Sequence, residues 1–173
     1  MSDSKNKKLP AKSEMQEQYK IYRSGFETIL STIEYKLRDT IILPSRPTFK
    51  SRVKSFDSYY RKVLRIKPPL KEEFPLPLLT DMMGIRIICA FLEDLAVVEQ
   101  QIKDNFVVRE VERKGASLSF KEFGYESIHV LVEIPKDCWM QQLVQDLIFL
   151  MIVYVRFKLE RFFRMHGQRL NMS

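Results

Sequence analysis

Residues 81–91 read Asp-Met-Met-Gly-Ile-Arg-Ile-Ile-Cys-Ala-Phe, and this stretch decides the fold. The nearly continuous apolar run from Ile85 to Phe91 predicts a buried β-strand. Asp81 stands just before that strand and Arg86 lies within it. A carboxylate at the entry to a buried strand suits a Mg²⁺ ion bound to phosphates, because phosphate oxygens supply the other ligands. The alternative is a helix cap for Asp81 and a surface salt bridge for Arg86.

Helices and strands are predicted on both sides of this strand. Apolar residues at steps of three and four predict an amphipathic helix over 14–40, begun by a capping box of Ser13 and Gln16. The other predicted elements are a strand over 49–53, a helix over 55–65, a loop over 67–77, a helix over 92–106, and strands over 107–111 and 127–134. The chain therefore predicts an α+β fold, a mixed sheet flanked by helices.

The composition is that of one soluble globular domain, with 173 residues, 45% apolar and 29% charged. Of the net charge of +7, residues 1–13 hold +3 and residues 155–173 hold +4, so the rest of the chain sums to zero. A protein that neutralises nucleic-acid phosphates is expected to carry its basic residues on the folded body. Nucleic-acid binding is therefore not expected.

The cysteines and the N-terminal residues favour a cytoplasmic location. Cys89 and Cys138 lie far apart in sequence, and the apolar surroundings of Cys89 predict a buried, reduced thiol. Residues 1–13 are polar and contain no apolar leader segment. The apolar run over 147–155 is too short to span a bilayer, so membrane insertion is not expected.

A basic cluster follows the first predicted strand. Arg52 and Lys54 are two residues apart and share a strand face. Ser58, Lys62 and Arg65 follow at helical intervals of four and three, which puts them on one helix face. Arginine forks and lysine charges that converge in this way suit a triphosphate. The alternative is a solvated basic helix.

A polar cluster opens the last predicted strand, where residues 124–129 read Gly-Tyr-Glu-Ser-Ile-His. Tyr125, Ser127 and His129 alternate along the strand and therefore point to one side of the sheet. A core histidine is the alternative, but three polar residues on one strand face make a poor core.

The order and spacing of these clusters resemble the RelA/SpoT alarmone synthetases over residues 46–136, and the single-domain length resembles their small members. The resemblance implies a nucleotidyltransferase-like RelA/SpoT synthetase fold. It implies a GTP pyrophosphokinase of the stringent response, which moves pyrophosphate from ATP to the 3′-hydroxyl of GDP or GTP to make (p)ppGpp. ATP, GDP or GTP and Mg²⁺ are the expected partners, and a homo-oligomer is left open.

The resemblance also implies roles for individual residues. Asp81 is expected to be catalytic and to hold Mg²⁺. ATP is expected to be bound by Arg52, Lys54, Ser58, Lys62, Arg65 and Arg86, of which Arg86 lies near the adenine. Tyr125 is expected to stack on the guanine, with Lys121 and His129 at the GDP or GTP.

The resemblance stops after Lys136. The family continues with Cys-Glu-Ile-Gln-Val-Arg-Thr and a helix, and this glutamate is its second acidic catalytic residue. Codons can be chosen for residues 155–173 that encode this chain in one frame. Read from one base earlier, the same bases encode the family segment over nineteen consecutive residues. We infer a polar tail over 1–13, a synthetase-like domain over 14–136, and an out-of-frame segment over 137–173 that truncates the family fold.

Two expectations follow from this break. The chain as written lacks the second acid, so it is either a synthetase of reduced activity or a catalytically inactive nucleotide-binding or partner-binding remnant. The lost strand is expected to leave an unpaired sheet edge, onto which residues 142–164 collapse as a helix.

Overall fold

The computed structural model describes residues 9–70, 76–114, 127–135, 138 and 154–161. Within them the elements, in chain order, are α1 Lys12–Thr40, β1 Thr48–Val53, α2 Phe56–Ile66, β2 Met83–Cys89, α3 Glu93–Asn105, β3 Val108–Lys114, β4 Ser127–Glu133 and β5 Tyr154–Arg161. Each helix and strand predicted before residue 136 is present. Their ends differ from the prediction by at most three residues.

Helix α1 packs one face against the rest of the molecule. Its buried side chains recur at helical intervals, and they are Met15, Tyr19, Phe26, Ile29, Leu30, Ile33 and Leu37. The predicted capping box is wrong, because the helix begins two residues earlier than the pattern suggested. Ala11 is the N-cap, no side chain caps the first turn, and Ser13 lies inside the helix.

The five strands form one mixed sheet in the order β1-β2-β5-β4-β3. Strands β2 and β5 are parallel, whereas the other neighbouring pairs are antiparallel. This arrangement confirms the predicted α+β class.

One face of the sheet belongs to the core and the other carries a cleft. Met83, Ile85 and Ile87 of β2 are buried, and so are Ile128, Val130 and Val132 of β4. Helices α1 and α3 lie near the strands that contribute these side chains. The intervening residues of the same strands, such as Arg86 and His129, line the cleft. The alternation in β2, and in β4 from Ile128 onward, therefore puts the core side chains on one face and Arg86 and His129 on the other.

Strand β5 corrects the expectation of an unpaired sheet edge. Residues 154–161 are a strand and not a helix, and they pair with β2 on one side and β4 on the other. Val155, Phe157 and Leu159 alternate with charged residues, a two-residue period that predicts a strand. The apolar run that ends at Val155 concealed this period. Residues 142–153 and 162–164 lie outside the described part of the chain.

Cys89 is buried at the end of β2, as predicted. Burial, together with the negative charge of Asp94, raises the pKa of its thiol to about 11, so the thiol stays protonated at neutral pH. None of the helices within the described ranges combines the length and apolar character that a membrane span requires.

Candidate active site

A cleft of about 420 Å³ opens on the face of the sheet away from the core. It is lined by Lys50, Ser51, Arg52, Lys54, Asp81, Met83, Gly84, Ile85, Arg86 and His129. The structure therefore brings together five residues that the sequence singled out in three separate clusters, namely Arg52, Lys54, Asp81, Arg86 and His129.

Asp81 lies between two lysines. Its Oδ2 atom is 2.9 Å from Nζ of Lys54 and 2.7 Å from Nζ of Lys62. The three side chains are each about one-fifth exposed, so water screens the contacts only in part. Burial of Asp81 opposes ionisation, but hydrogen bonds from Lys62 and Lys54 outweigh it and lower the pKa of Asp81 below its ordinary value. Asp81 is therefore a carboxylate at neutral pH.

The second oxygen of Asp81 bears on metal binding. Oδ1 is buried and has no hydrogen-bond partner among the described residues. A buried carboxylate oxygen normally has a partner, so one with none suits a cation ligand. Within the described ranges no cluster of three or more His, Cys, Asp or Glu side chains is placed to hold a metal. Oδ1 of Asp81 itself fits a Mg²⁺ ion whose other ligands come from substrate phosphates and water.

Local backbone structure places the two lysines. Lys54 follows β1 directly, and its N–H donates to the carbonyl of Met82 at 2.8 Å, which ties the end of β1 to the start of β2. Ser55 is the N-cap of α2, and its hydroxyl oxygen accepts from the N–H of Ser58 at 3.4 Å. Helix α2 starts there, and about two turns later it brings Lys62 back over Asp81.

Lys50 belongs to the cleft, although the sequence analysis did not select it. In the antiparallel pair of β1 and β2 it lies directly opposite Arg86, and Arg52 lies opposite Gly84. Like charges opposite each other destabilise a sheet unless an anion lies between them. The pattern Lys50, Arg52, Lys54, with a cation at every second residue, was the signal that could have identified Lys50.

His129 reaches the cleft from β4. Its side chain is about 12% exposed, and Nδ1 lies 3.5 Å from Oε2 of Glu112 on β3. Ser127, two residues earlier, is buried and is not among the lining residues. Ser127 shares this side of β4 with His129, but only His129 is among the cleft-lining residues.

Among the predicted residues of α2, Ser58 and Arg65 are not among those that line the cleft, and Lys62 meets it through its contact with Asp81. The hydroxyl of Ser58 accepts from that of Ser55 at 2.9 Å, which places Ser58 in the cap of α2. Arg65 is exposed on the last turn of α2. Lys121 and Tyr125 lie outside the described residues.

The comparison of the sequence with known proteins points to one family. The family model described as the region found in RelA and SpoT proteins matches residues 51–148, more than half of the chain. GTP pyrophosphokinase YwaC of Bacillus subtilis (strain 168) is 35% identical over 86 residues, which cover 50% of this chain and 41% of that protein. The matched part of the chain thus spans less than half the length of this relative.

Solved structures show the same fold. The small alarmone synthetase 1 from Bacillus subtilis matches with a TM-score of 0.60 at 23% identity, over 83% of this chain and 71% of that chain. The same synthetase bound to its product pppGpp matches with a TM-score of 0.57 at 19% identity, over 83% and 73% of the two chains. By the extent of its family match, this chain belongs to the family of proteins that carry the region found in RelA and SpoT.

Proposed function

We propose that the cleft is the nucleotide site of a GTP pyrophosphokinase, which moves pyrophosphate from ATP to the 3′-hydroxyl of GDP or GTP. The observation that supports this most is the meeting of Lys54 and Lys62 at Asp81, in a cleft that Lys50, Arg52 and Arg86 also line. The activity named for YwaC and the pppGpp bound to small alarmone synthetase 1 agree with this proposal.

The cations of the cleft are suited to the triphosphate of ATP. Arg52 and Arg86 can each form paired hydrogen bonds with phosphate oxygens, and Lys54 and Lys62 add compact charges. Phosphoryl transfer depends mainly on position and charge neutralisation, so such a set is the main contribution that the protein makes. Ser58 and Arg65 stay predictions for the same phosphates.

Asp81 would hold Mg²⁺ through the oxygen that has no partner among the described residues. The metal ion would neutralise negative charge on the phosphates during transfer. Lys54 and Lys62 contribute by keeping Asp81 ionised.

The acceptor nucleotide is assigned to the part of the cleft beside β4. His129 lines the cleft there, on the far side of β2 and β5 from the cations of β1. We propose that it contacts the GDP or GTP, with Lys121 and Tyr125 as further contacts. During transfer the 3′-oxygen bonds to the β-phosphorus of ATP while the bond from that phosphorus to the α,β-bridging oxygen breaks. AMP leaves with that oxygen, and the hydroxyl proton passes to water.

A second candidate function, nucleotide binding without turnover, is favoured by one feature of β5. In the register of β5, Arg156 lies beside Gly84, and Gly84 is three residues after Asp81 in the sequence. Lys158 lies between Arg86 of β2 and His129 of β4. In the inferred original frame the glutamate codon overlaps those of Val155 and Arg156. The chain as written thus has a cation at the register position where the family motif has an acid.

Transfer of labelled pyrophosphate from ATP to GDP and GTP, followed by thin-layer chromatography, tests the main proposal. A chain with the frame restored after about Lys136 is expected to make the labelled product, and Asp81→Asn is expected to abolish it. A folded, restored chain that makes no product would contradict the proposal.

A further inference from the structure

Tyr19 is a buried tyrosine of α1 whose hydroxyl is directed at the cleft-forming segment. It is about 1% exposed, and its ring packs against those of Phe56 and Tyr59 of α2, with centroids 5.6 and 4.8 Å away. Its hydroxyl donates a hydrogen bond to the backbone carbonyl of Lys54. Helix α1 precedes the part of the chain that matches the family model, residues 51–148.

The carbonyl of Lys54 lies in the short connection between β1 and α2. Lys54 follows the last residue of β1 and precedes Ser55, the N-cap of α2, so its peptide belongs to neither element. This carbonyl is partly buried, and Tyr19 supplies it with a hydrogen-bond donor across a sequence separation of 35 residues. The N–H of the same residue is held by Met82. The backbone of Lys54 is therefore fixed from two sides.

This junction controls both lysines that contact Asp81. The side chain of Lys54 starts from the fixed residue, and Lys62 is carried by the helix that begins two residues later, after the N-cap Ser55. Fixing the peptide after Lys54 thus fixes the start of α2. A loose junction would let both ammonium groups move away from Asp81.

We propose that Tyr19 is a positioning residue that sets Lys54 and the start of α2 relative to Asp81. The expected effect of Tyr19 on ATP binding rests on the proposed function. Its effect on the backbone at Lys54 does not depend on that function. Burial raises the pKa of Tyr19 to about 12, so its hydroxyl remains a donor throughout the usual working range of pH.

Tyr59 provides a matched control. It is as buried as Tyr19, it belongs to the same ring cluster, and its hydroxyl donates to the carbonyl of Pro77 at 2.9 Å. Tyr19→Phe and Tyr59→Phe each remove one buried hydroxyl and one hydrogen bond. The two variants are expected to have similarly lowered melting temperatures. A difference between them in ATP affinity therefore cannot come from a general loss of stability.

Two measurements test the proposal. Tyr19→Phe should raise the Kd for ATP with Mg²⁺ roughly fivefold, the fold-change expected for one lost hydrogen bond, whereas Tyr59→Phe should leave it nearly unchanged. Amide hydrogen exchange at Lys54 and in the first turn of α2 should accelerate by a similar factor in Tyr19→Phe alone.

The outcomes separate this inference from the proposed function. If the unaltered chain does not bind ATP but exchange at Lys54 accelerates in Tyr19→Phe alone, the proposed function fails and the positioning role stands. If the chain binds ATP and the two variants match in affinity and in exchange, Tyr19 is an ordinary core residue and the inference is overturned.

Discussion

Nζ of Lys62 lies 2.7 Å from Oδ2 of Asp81, and this contact joins α2 to the segment that enters β2. Two regions separated by a proline-rich loop in the sequence thus meet at one carboxylate. The contact explains why the basic cluster of α2 is not simply a solvated helix face. One of its members, Lys62, is turned inward to an ionised partner.

Glu99 of α3 should make the stability of the fold sensitive to acid. Its carboxylate is about 4% exposed and lies 2.7 Å from both Lys103 and Arg113. Burial raises the pKa of Glu99, but contacts with Lys103 and Arg113 outweigh burial and hold it below the ordinary value. The two ion pairs therefore stabilise the fold at pH values above the pKa that Glu99 has in the unfolded chain. This stabilisation is lost as the pH falls through the lower pKa of Glu99 in the folded chain.

Denaturant titration of the Glu99→Gln variant at several pH values checks this. Because both cations are about half exposed, the variant should lose only about 1 kcal/mol near pH 7. The loss should shrink towards zero below the folded pKa of Glu99. Glu27→Gln, which breaks the exposed pair with Arg23, serves as control and should change little at any pH. A deficit of constant size across the whole range would contradict the assignment.

Strand β5 should be required for cooperative folding. Leu159 lies at the register position between Ile87 and Ile128, in the middle of the sheet. Leu159→Pro removes an N–H from a strand with neighbours on both sides, and a loss of at least about 1–3 kcal/mol is expected because the carbonyl that accepted this N–H is left unpaired. Lys158→Ala keeps every backbone amide and should cost less. Equal melting curves for both variants and the unaltered chain would show that residues 154–161 do not contribute to the sheet.

Restoring the inferred frame should restore turnover. The chain as written is expected to make negligible (p)ppGpp, because loss of an acid at a phosphoryl-transfer site removes several kcal/mol of transition-state stabilisation. The restored chain should exceed it by roughly a thousandfold or more in rate. Equal rates from the two chains would show that residues 137–173 as written support the reaction, and that the frame inference has no functional meaning.

The sequence predicted the parts of the fold that a simple period governs. Ile128, Val130 and Val132 alternate in β4, Phe26 and Ile33 follow helical spacing in α1, and all five side chains are buried. These patterns are reliable because one face of each element is covered over its whole length.

The errors arose where a residue's role depends on a distant partner. Tyr19 fits the apolar stripe of α1, and only the folded chain shows that its hydroxyl reaches Lys54. Lys50 gained meaning only once β1 was paired with β2 and put it opposite Arg86.

Binding of ATP tests the central claim most directly. Calorimetric titration with ATP and Mg²⁺ should show binding by the unaltered chain and its loss by at least about a hundredfold in Lys54→Ala combined with Lys62→Ala, because two charge-assisted contacts disappear. Lys20→Ala combined with Lys36→Ala removes the same charge from α1 and should bind as before. Melting curves establish that each double variant is folded. If the first double variant is folded and binds ATP as tightly as the second, the cleft at Asp81 is not the phosphate site.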